Sequence, residues 1–257
     1  NTTMEKIIEC YDGVIDTSIQ NEVHEYSRTL SWYSKVLDIN QDYIHEDSSN
    51  NELSQSRRSI MRHPLGIDNN TTSQRHPIIY KLWQSINDKL FDGCADLNGI
   101  PESIGGLGGP AYFFSDGENF FEKYNWDQSA ASKWTCYLNT KSAGDRTILK
   151  NGIGYAHRDS GPGYEEATNY ATILFCTNEK WLPSWGGEYV FYGDEDTGEV
   201  HPNYGYNIGY PNKIVGHKPG RIIVYRHDQT HLSNRPVIGA VGMPVRIAFR
   251  VNLTGGI

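Results

Sequence analysis

The sequence lacks the features that mark membrane, zinc-ribbon and nucleic-acid-binding proteins. No run approaches the ~20 consecutive apolar residues of a membrane-spanning helix. The four cysteines, Cys10, Cys94, Cys136 and Cys176, form no Cys-x-x-Cys pair. The chain carries 23 Lys and Arg against 31 Asp and Glu, a formal net charge of −8. Because affinity for duplex nucleic acid depends largely on Lys and Arg contacts to phosphate, we expect no nucleic-acid partner and no membrane association.

Several catalytic motifs are missing as well, including His-Glu-x-x-His, the P-loop and Gly-x-Ser-x-Gly. The segment His157-Arg158-Asp159 matches the start of a kinase catalytic loop, but Tyr164 stands where that loop needs Asn, and no Asp-Phe-Gly follows. The glycine-rich stretch 105–111 follows no clear strand and contains Pro110, so it predicts a flexible loop. Kinase and dinucleotide-binding functions are therefore excluded.

The 257 residues suffice to bury a sizeable core without disulfide bonds, and we expect four free thiols. The first residues show no basic segment followed by an apolar one, which predicts a cytoplasmic location. We interpret 1–257 as a single domain. Within it, 1–130 is a helical and loop support region and 131–257 is a β core. The oligomeric state is left open.

Two helices are predicted in the first third of the chain. Apolar residues spaced by three and four trace one helix face, with Thr17 or Ser18 as the cap: Ile19, Val23, Tyr26, Leu30, Tyr33 and Leu37. A second helix opens with Pro77 at its first position and ends at Gly93. Its buried stripe is Ile79, Leu82, Ile86 and Leu90. Between the two helices, the polar stretch 47–59 predicts an exposed loop.

The remainder of the chain reads as β-structure. Segments rich in Val, Ile, Tyr and Phe, separated by turn residues, are 133–138, 169–177, 186–192, 220–226 and 245–253. Several short strands with no helical pattern between them predict an antiparallel sandwich or barrel. The fold class is thus mostly β with a helical N-terminal layer, an α+β arrangement. The long, tyrosine-rich polar segment 193–216 is predicted to be a functional loop.

His157 and Asp159 are candidate metal ligands. Residues i and i+2 of a strand point to the same face, so both side chains can converge on one ion. Two histidines and one carboxylate form the facial triad of non-haem Fe(II) oxygenases, which leaves coordination positions open. The second histidine must come from later in the chain. On the residues alone, four candidates remain: His201, His217, His227 and His231.

The order of these segments resembles the prolyl 4-hydroxylase-like branch of the Fe(II)/2-oxoglutarate dioxygenases. The likeness runs from about Trp134 to Leu253. It is carried by NGIGYAHRDS, by NYATILFCTNEKWLPSWGGEYVFY, by KPGRIIVYRHDQTHLSNRPV and by PVRIAFRVNL. The resemblance implies a double-stranded β-helix core of the jelly-roll or cupin-like type. One departure is the long interval between the distal histidine and the last strand, which the inserted 239–242 would account for.

The resemblance also implies site residues. His157, Asp159 and His231 match the iron ligands, with His227 as the alternative for the third. Arg246 matches the residue that pairs with the distal carboxylate of 2-oxoglutarate, a role suited to a bidentate guanidinium. Arg250, on the same strand face, is its competitor.

The family's usual cosubstrate tyrosine has no counterpart here, because Ile148 and Cys176 stand near the two customary positions. Tyr155, Tyr170 and Thr172 are the candidates to replace it.

The activity implied is an Fe(II)- and 2-oxoglutarate-dependent dioxygenase that uses O2, with ascorbate as an additional reductant. It would hydroxylate an unactivated C–H bond, first of all in a prolyl residue of a peptide or protein. A small metabolite or sugar is the alternative substrate. Tyr204, Tyr206 and Tyr210 are candidates to line the substrate groove, since aromatic surfaces suit proline-rich chains. The alternative from another class is a β-helix protein that binds a metal or ligand without turnover.

Overall fold

The architecture is given by a computed structural model of the chain. It describes residues 8–30, 33–35, 60–66, 68–97, 112–113, 135–141, 156–159, 169–200, 205–234, 236–237 and 239–253. Within these ranges the chain forms three α-helices, a short 3-10 turn and two antiparallel sheets. None of the helices described combines the length and the apolar character needed to cross a lipid bilayer.

The helices are α1 (Thr17–Thr29), α2 (Asn69–Arg75) and α3 (Pro77–Phe91), and the 3-10 turn is Pro183–Trp185. The strands of the first half are β1 (Ile8–Tyr11), β2 (Tyr33–Lys35), β3 (Ile60–Gly66), β4 (Ala95–Asp96), β5 (Tyr112–Phe113) and β6 (Cys136–Lys141). Those of the second half are β7 (Tyr170–Cys176), β8 (Tyr189–Tyr192), β9 (Pro211–Val215), β10 (Ile222–Arg226), β11 (His231–Ser233) and β12 (Arg246–Leu253).

The larger sheet has the strand order β1-β10-β7-β12-β6-β3-β2-β5, and β4 pairs with β12 beside this path. The smaller sheet has the order β11-β8-β9. Every strand pair in both sheets is antiparallel. The predicted mostly-β class with antiparallel sheets is confirmed, whereas the double-stranded β-helix and the single-domain boundaries stay predictions.

Helix α3 forms as its sequence predicts. Pro77 occupies the first turn, where its missing N–H costs no hydrogen bond, and Ile79, Leu82 and Ile86 are fully buried on one face. The helix ends where Asp92 adopts a left-handed conformation and Gly93 follows at φ +74.

Helix α1 is shorter than predicted. It ends at Thr29, Leu30 is extended, and Tyr33 lies in β2 rather than on the helix face. Its N-cap residue is Asp16, not Thr17 or Ser18. The apolar spacing continues past Thr29, but the helix does not. Residues 33–35 instead form β2, which hydrogen-bonds to β3 and β5, and this long-range pairing overrides the local pattern. Leu37 and the predicted loop 47–59 lie outside the described residues.

The interpretation of the first third as helices and loops is wrong in part. β1 pairs with β10 at one end of the larger sheet, and β3 pairs with β6. β3 contains Pro64, and its register shifts between Pro64 and Gly66, so its pattern lacked the regularity of a strand. β1 and β3 are stabilised by partners 70 or more residues away in sequence, which no local pattern reveals.

The predicted strands of the second half are all present, with β6 starting a few residues later than expected, at Cys136. The larger sheet presents two different faces. On one, Ile173 and Phe249 belong to an apolar core with the buried faces of α1 and α3. On the other, Leu174 and Ala248 pack with Phe191 of the smaller sheet. The space between the two sheets is where the candidate site lies.

Candidate metal centre

A β-bridge between their backbones brings His157 and His231 together. The amide of His157 donates to the carbonyl of His231 at 2.9 Å, and the reverse bond is also 2.9 Å. His231 is the first residue of β11, which pairs with β8. The two imidazole ring centroids lie 4.6 Å apart. A pair of main-chain hydrogen bonds therefore sets the distance between two histidines 74 positions apart in sequence.

Asp159 completes the cluster. Its Oδ1 lies 3.9 Å from Nε2 of His157 and 3.9 Å from Nε2 of His231. One ligand atom from each of the three residues lies within 4.8 Å of the other two. This spacing suits three bonds to one ion, and two imidazoles with one carboxylate form a facial triad. Of the histidines left open as the third ligand, the structure brings His231 to the pair.

Thr172 on β7 orients the Asp159 carboxylate. Its hydroxyl donates to Oδ2 at 2.6 Å, which leaves Oδ1 as the oxygen that faces both histidines. Burial by itself would raise the pKa of Asp159, but His231, His227, Arg250 and His157 together hold it well below its usual range. The residue is therefore a carboxylate at neutral pH, as a metal ligand must be.

The tautomer of His231 is set by its other ring nitrogen. Nδ1 lies 3.0 Å from the carbonyl oxygen of Gln229, which can only accept a hydrogen bond, so Nδ1 carries the proton. In the neutral imidazole Nε2 then keeps a lone pair, and this atom lies 3.9 Å from Oδ1 of Asp159. A second hydrogen-bonding partner that fixes the tautomer is the usual support for a metal-binding histidine. The donor set thus fits a divalent transition metal.

His227, the alternative third ligand, lies outside this cluster. It is fully buried directly after β10, and its amide donates to the carbonyl of Tyr170. Its ring stacks on that of Tyr170, with 6.1 Å between the ring centroids. Burial and the positive charge of Arg250 lower the pKa of His227 to about 3, although Asp159 opposes this shift. It is therefore a neutral, packed histidine near the centre.

Arg246 lies on the inner face of β12 and is only 1% exposed. One terminal nitrogen donates to Ser233 Oγ at 3.2 Å, another donates to the carbonyl of Gly187, and the guanidinium lies 4.6 Å above the ring of Tyr189. Its Nε has no hydrogen-bond partner among the described residues. A buried guanidinium with an unused donor is suited to bind a carboxylate.

Arg250, its competitor, is four residues further along the same face, roughly 13 Å away along an extended strand. It is buried, and a terminal nitrogen lies 3.4 Å from the carbonyl oxygen of Asp159. The two arginines therefore have different surroundings. Arg250 adjoins the backbone of Asp159, a candidate metal ligand, whereas Arg246 adjoins Ser233 and Tyr189.

The candidate cosubstrate and substrate residues are found in several places. Thr172 holds Asp159, Tyr170 packs on His227, and Tyr210 is 70% exposed. Tyr155 and Tyr204 lie outside the described residues, as does His201. The cosubstrate roles of Tyr170 and Thr172 and the substrate role of Tyr210 stay predictions.

Tyr206 contacts Arg158, which lies between the candidate ligands His157 and Asp159. Its hydroxyl accepts a hydrogen bond of 3.0 Å from the amide of Arg158, and the Arg158 guanidinium lies 4.3 Å above its ring. Arg158 also donates to Thr230 Oγ1 and Asp194 Oδ1, both at 3.1 Å. The residue between the two ligands therefore points away from them, and its side chain connects them to the loop that begins at Gly193.

Sequence reasoning missed four residues of the site: Tyr189, Tyr225, Gln229 and Ser233. Tyr225 places its hydroxyl 3.2 Å from Nε2 of His231. The alternation in β10 puts Tyr225 on the same face as Ile223, which was a usable signal. It did not say which face of the sheet is the inner one. Gln229 acts through its backbone carbonyl, which leaves no trace in the residue type.

No protein-family model matches the sequence, and no curated protein matches it. Among solved structures the chain is similar to a prolyl hydroxylase in complex with a hypoxia inducible factor peptide from Trichoplax adhaerens, with 13% identity, 96% of this chain and 84% of that chain covered, and a TM-score of 0.42. A prolyl-4-hydroxylase from Pseudomonas putida is 10% identical, with 96% and 92% covered and a TM-score of 0.41.

HygX from Streptomyces hygroscopicus, solved with nickel and 2-oxoglutarate bound, is 11% identical, with 97% of this chain and 84% of that chain covered and a TM-score of 0.44. With identities of 10–13% and TM-scores below 0.5, we take no activity or substrate for this chain from these likenesses. The geometry of His157, Asp159, His231 and Arg246 has to support any function on its own.

Proposed function

We propose that this chain is an Fe(II)- and 2-oxoglutarate-dependent dioxygenase that hydroxylates an unactivated C–H bond. The observation that carries the proposal is the meeting of His157, Asp159 and His231 within 4.8 Å. This donor set is the facial triad of non-haem Fe(II) oxygenases, which leaves coordination positions open for other ligands. Arg246 is buried on the face of the larger sheet that is turned toward the smaller sheet, and it would supply a positive charge for a carboxylate ligand.

Each residue has a defined task in this proposal. His157 and His231 would hold the metal through Nε2, and Asp159 through Oδ1. Thr172 and Gln229 keep the carboxylate and the imidazole in position through hydrogen bonds of 2.6 and 3.0 Å. Arg246 would bind the distal carboxylate of 2-oxoglutarate, and its burial strengthens that attraction because little water competes.

Bound Fe(II), together with 2-oxoglutarate and O2, supplies the oxidation of the C–H bond. The reaction balances as 2-oxoglutarate, O2 and substrate R–H giving succinate, CO2 and R–OH. The protein contributes ligand geometry and a water-poor space between the sheets, where Leu174, Phe191 and Ala248 are almost fully buried. Ascorbate belongs to the proposal only as a reductant that restores Fe(II).

For the substrate we propose a prolyl residue in a peptide or protein, on the strength of the sequence resemblance. The loop after β8 carries the exposed apolar side chains Val200 and Tyr210, at 48% and 70% exposure. Such side chains suit an extended, proline-containing chain. A small metabolite is the alternative substrate, and both are hydroxylated by the same chemistry.

The experiment that tests the enzyme class is succinate formation from 2-oxoglutarate under air, with Fe(II) present or removed by a chelator. We expect turnover that requires Fe(II) and that Asp159→Ala abolishes. A matched control is Asp88→Ala, which removes an exposed carboxylate on α3 and should keep wild-type turnover. Metal binding without any succinate would instead identify a protein that binds metal without turnover.

The substrate is tested by mass spectrometry for a gain of one oxygen atom. Prolyl peptides and a panel of small hydroxylatable metabolites are incubated separately with the Fe(II)-loaded protein and 2-oxoglutarate. Oxygen incorporated into peptide proline supports the prolyl proposal. Incorporation only into small molecules would overturn the substrate while leaving the enzyme class in place.

A further inference from the structure

The hydroxyl of Tyr225 lies at the metal centre, although the proposed function assigns it no task. Tyr225 is 2% exposed, and its hydroxyl oxygen is 3.2 Å from Nε2 of His231, the atom that would bind the metal. The hydroxyl therefore faces the same small space as Asp159 Oδ1 and the two histidine Nε2 atoms.

The orientation of this side chain is fixed by its surroundings. Tyr225 pairs directly with Thr172 across β10 and β7, so both side chains project from the inner face of the larger sheet. Its ring lies 4.5 Å from the His231 ring and 5.3 Å from that of Phe191, between centroids. These ring contacts hold the hydroxyl beside Nε2 of His231, where rotation of its proton changes the acceptor.

Counting protons shows where this hydroxyl donates. His231 Nδ1 uses its proton on the carbonyl of Gln229, so Nε2 is an acceptor. Thr172 uses its only proton on Asp159 Oδ2, so its hydroxyl oxygen is an acceptor too. The neutral phenol of Tyr225 is consequently the donor in this group, and in the metal-free protein it donates to His231.

A metal bound to His231 takes the lone pair that accepts this hydrogen bond. The Tyr225 proton must then turn to another acceptor in the same space. Thr172 Oγ1 is one, and an oxygen of a ligand placed beside the metal is the other. A carboxylate oxygen is much the stronger acceptor, because a hydrogen bond to an ionised group is roughly twice as strong as one between neutral groups.

We propose that Tyr225 is a further binding residue for the carboxylate cosubstrate: its hydroxyl leaves His231 when the metal binds and donates to the carboxylate placed at the metal. This inference rests on the proposed function. It gives 2-oxoglutarate two protein contacts at separate ends, Arg246 at one and Tyr225 at the other.

The test compares wild type with Tyr225→Phe, which keeps the ring and removes the hydroxyl. Fe(II) is added without O2, 2-oxoglutarate is titrated, and the charge-transfer absorption of the complex reports binding. We expect the variant to bind 2-oxoglutarate about tenfold more weakly, the effect of losing one hydrogen bond to a charged group. Its absorption maximum should shift as well. Affinity for Fe(II) alone should be unchanged or tighter, since the competing hydrogen bond to His231 is gone.

The matched control is Tyr26→Phe. Tyr26 also bonds a histidine, with its hydroxyl 2.7 Å from Nδ1 of His76, but the pair lies among the helices away from the metal ligands. This variant should bind 2-oxoglutarate and Fe(II) like wild type. Equal 2-oxoglutarate affinity in wild type and Tyr225→Phe would overturn the role of Tyr225 and leave the enzyme class intact. Absence of 2-oxoglutarate binding to the Fe(II)-loaded wild type would overturn both.

A second measurement covers the case in which Tyr225→Phe does not fold. Zn(II), which is colourless and redox-inert, is added to the wild-type protein, and then 2-oxoglutarate, while the near-ultraviolet tyrosine absorption is recorded. Moving the phenol proton from a nitrogen to a carboxylate acceptor should give a difference spectrum at each addition. No change on adding 2-oxoglutarate contradicts the inference.

Discussion

Strands β7 and β12 present opposite chemistry on their two faces. Toward the helices they carry Ile173 and Phe249, both inaccessible to water and packed in the larger apolar core. Toward the smaller sheet they carry Thr172 and Arg246, which are equally buried but polar. Successive side chains of a strand point in opposite directions, so one strand can serve both purposes. The rigid apolar face thereby holds the polar face in register.

The largest effect on stability is expected on the helix-facing side. Phe249→Ala removes a fully buried ring whose centroid lies 5.4 Å from that of Trp83 on α3. We expect the free energy of unfolding to fall by about 3–5 kcal/mol, measured by urea denaturation. Metal affinity of the remaining folded protein should stay near that of wild type. A loss of metal affinity without loss of stability would show that the two faces are not separable in this way.

On the inner face, Arg246→Met should have the reverse pattern, with a small effect on stability and a large effect on ligand binding. The change removes a buried charge but keeps an apolar side chain of similar length, so unfolding should change by no more than about 2 kcal/mol. Binding of 2-oxoglutarate should weaken about 100-fold, because hydrogen bonds to an ionised partner are lost. Calorimetric titration of the metal-loaded protein measures this. Arg246→Lys should recover only part of the affinity, since an ammonium lacks the bidentate fork.

A smaller effect is expected from Thr172→Val, which retains the shape of the side chain and removes the hydrogen bond to Asp159. Metal affinity should fall by about 10-fold to 100-fold, as for other residues that position a ligand. Titration with Co(II), followed by its visible absorption, measures the affinity. Thr172→Ser, which keeps the hydroxyl, should remain closer to wild type; equal losses in both variants would assign the effect to packing instead.

The smallest effect is expected outside both faces, at Asp12 after β1. Its carboxylate pairs with Arg221 at 2.8 Å and Lys218 at 2.9 Å, and hydrogen bonds from Arg221 hold the pKa of Asp12 well below its usual range. Because the pKa of Asp12 is lower in the folded than in the unfolded protein, the ion pair stabilises the fold at pH values above the unfolded-state pKa of about 4. This contribution is lost as the pH falls from about 4 toward the lower pKa of the folded state. Asp12→Asn should cost at most about 1 kcal/mol, because the side chain is 38% exposed.

The measurement for Asp12 is urea denaturation of wild type and Asp12→Asn at pH 7 and at successively lower pH. The two proteins should differ at pH 7 and converge on acidification. A difference that stays constant with pH would mean that the ion pair is not its source.

Local sequence patterns predicted two kinds of element: helices with clear start and stop signals, and strands rich in apolar residues. Pro77, the stripe of α3 and the left-handed end near Gly93 all follow from rules that act within a few residues. Strands β7, β10 and β12 were recognisable because they are rich in Val, Ile, Tyr and Phe and lie between turn residues. The short strands β2 and β5, and β3 with its proline, were missed because distant partners supply their hydrogen bonds.

The candidate site divides in the same way. The residue types and the His-x-Asp spacing predicted that His157 and Asp159 share a face, and the resemblance pointed to His231 and Arg246. The supporting roles were not predicted. Thr172 donates to Asp159 from another strand, and Tyr225 reaches His231 only through the turn that follows β10. Gln229 acts through its backbone carbonyl, which the residue type does not reveal.

The sequence by itself determined the acidic, mostly β character of the chain, the strands of its second half, and the two candidate ligands that stand two positions apart. The resemblance already favoured His231 over His227, but only the tertiary structure shows that His231, and not His227, joins the cluster with His157 and Asp159. Both histidines follow β10 and both are buried. The difference is that the backbone of His231 bridges to His157, while the amide of His227 bonds to Tyr170. Strand register, which depends on hydrogen bonds between distant segments, sets which ring reaches the metal centre.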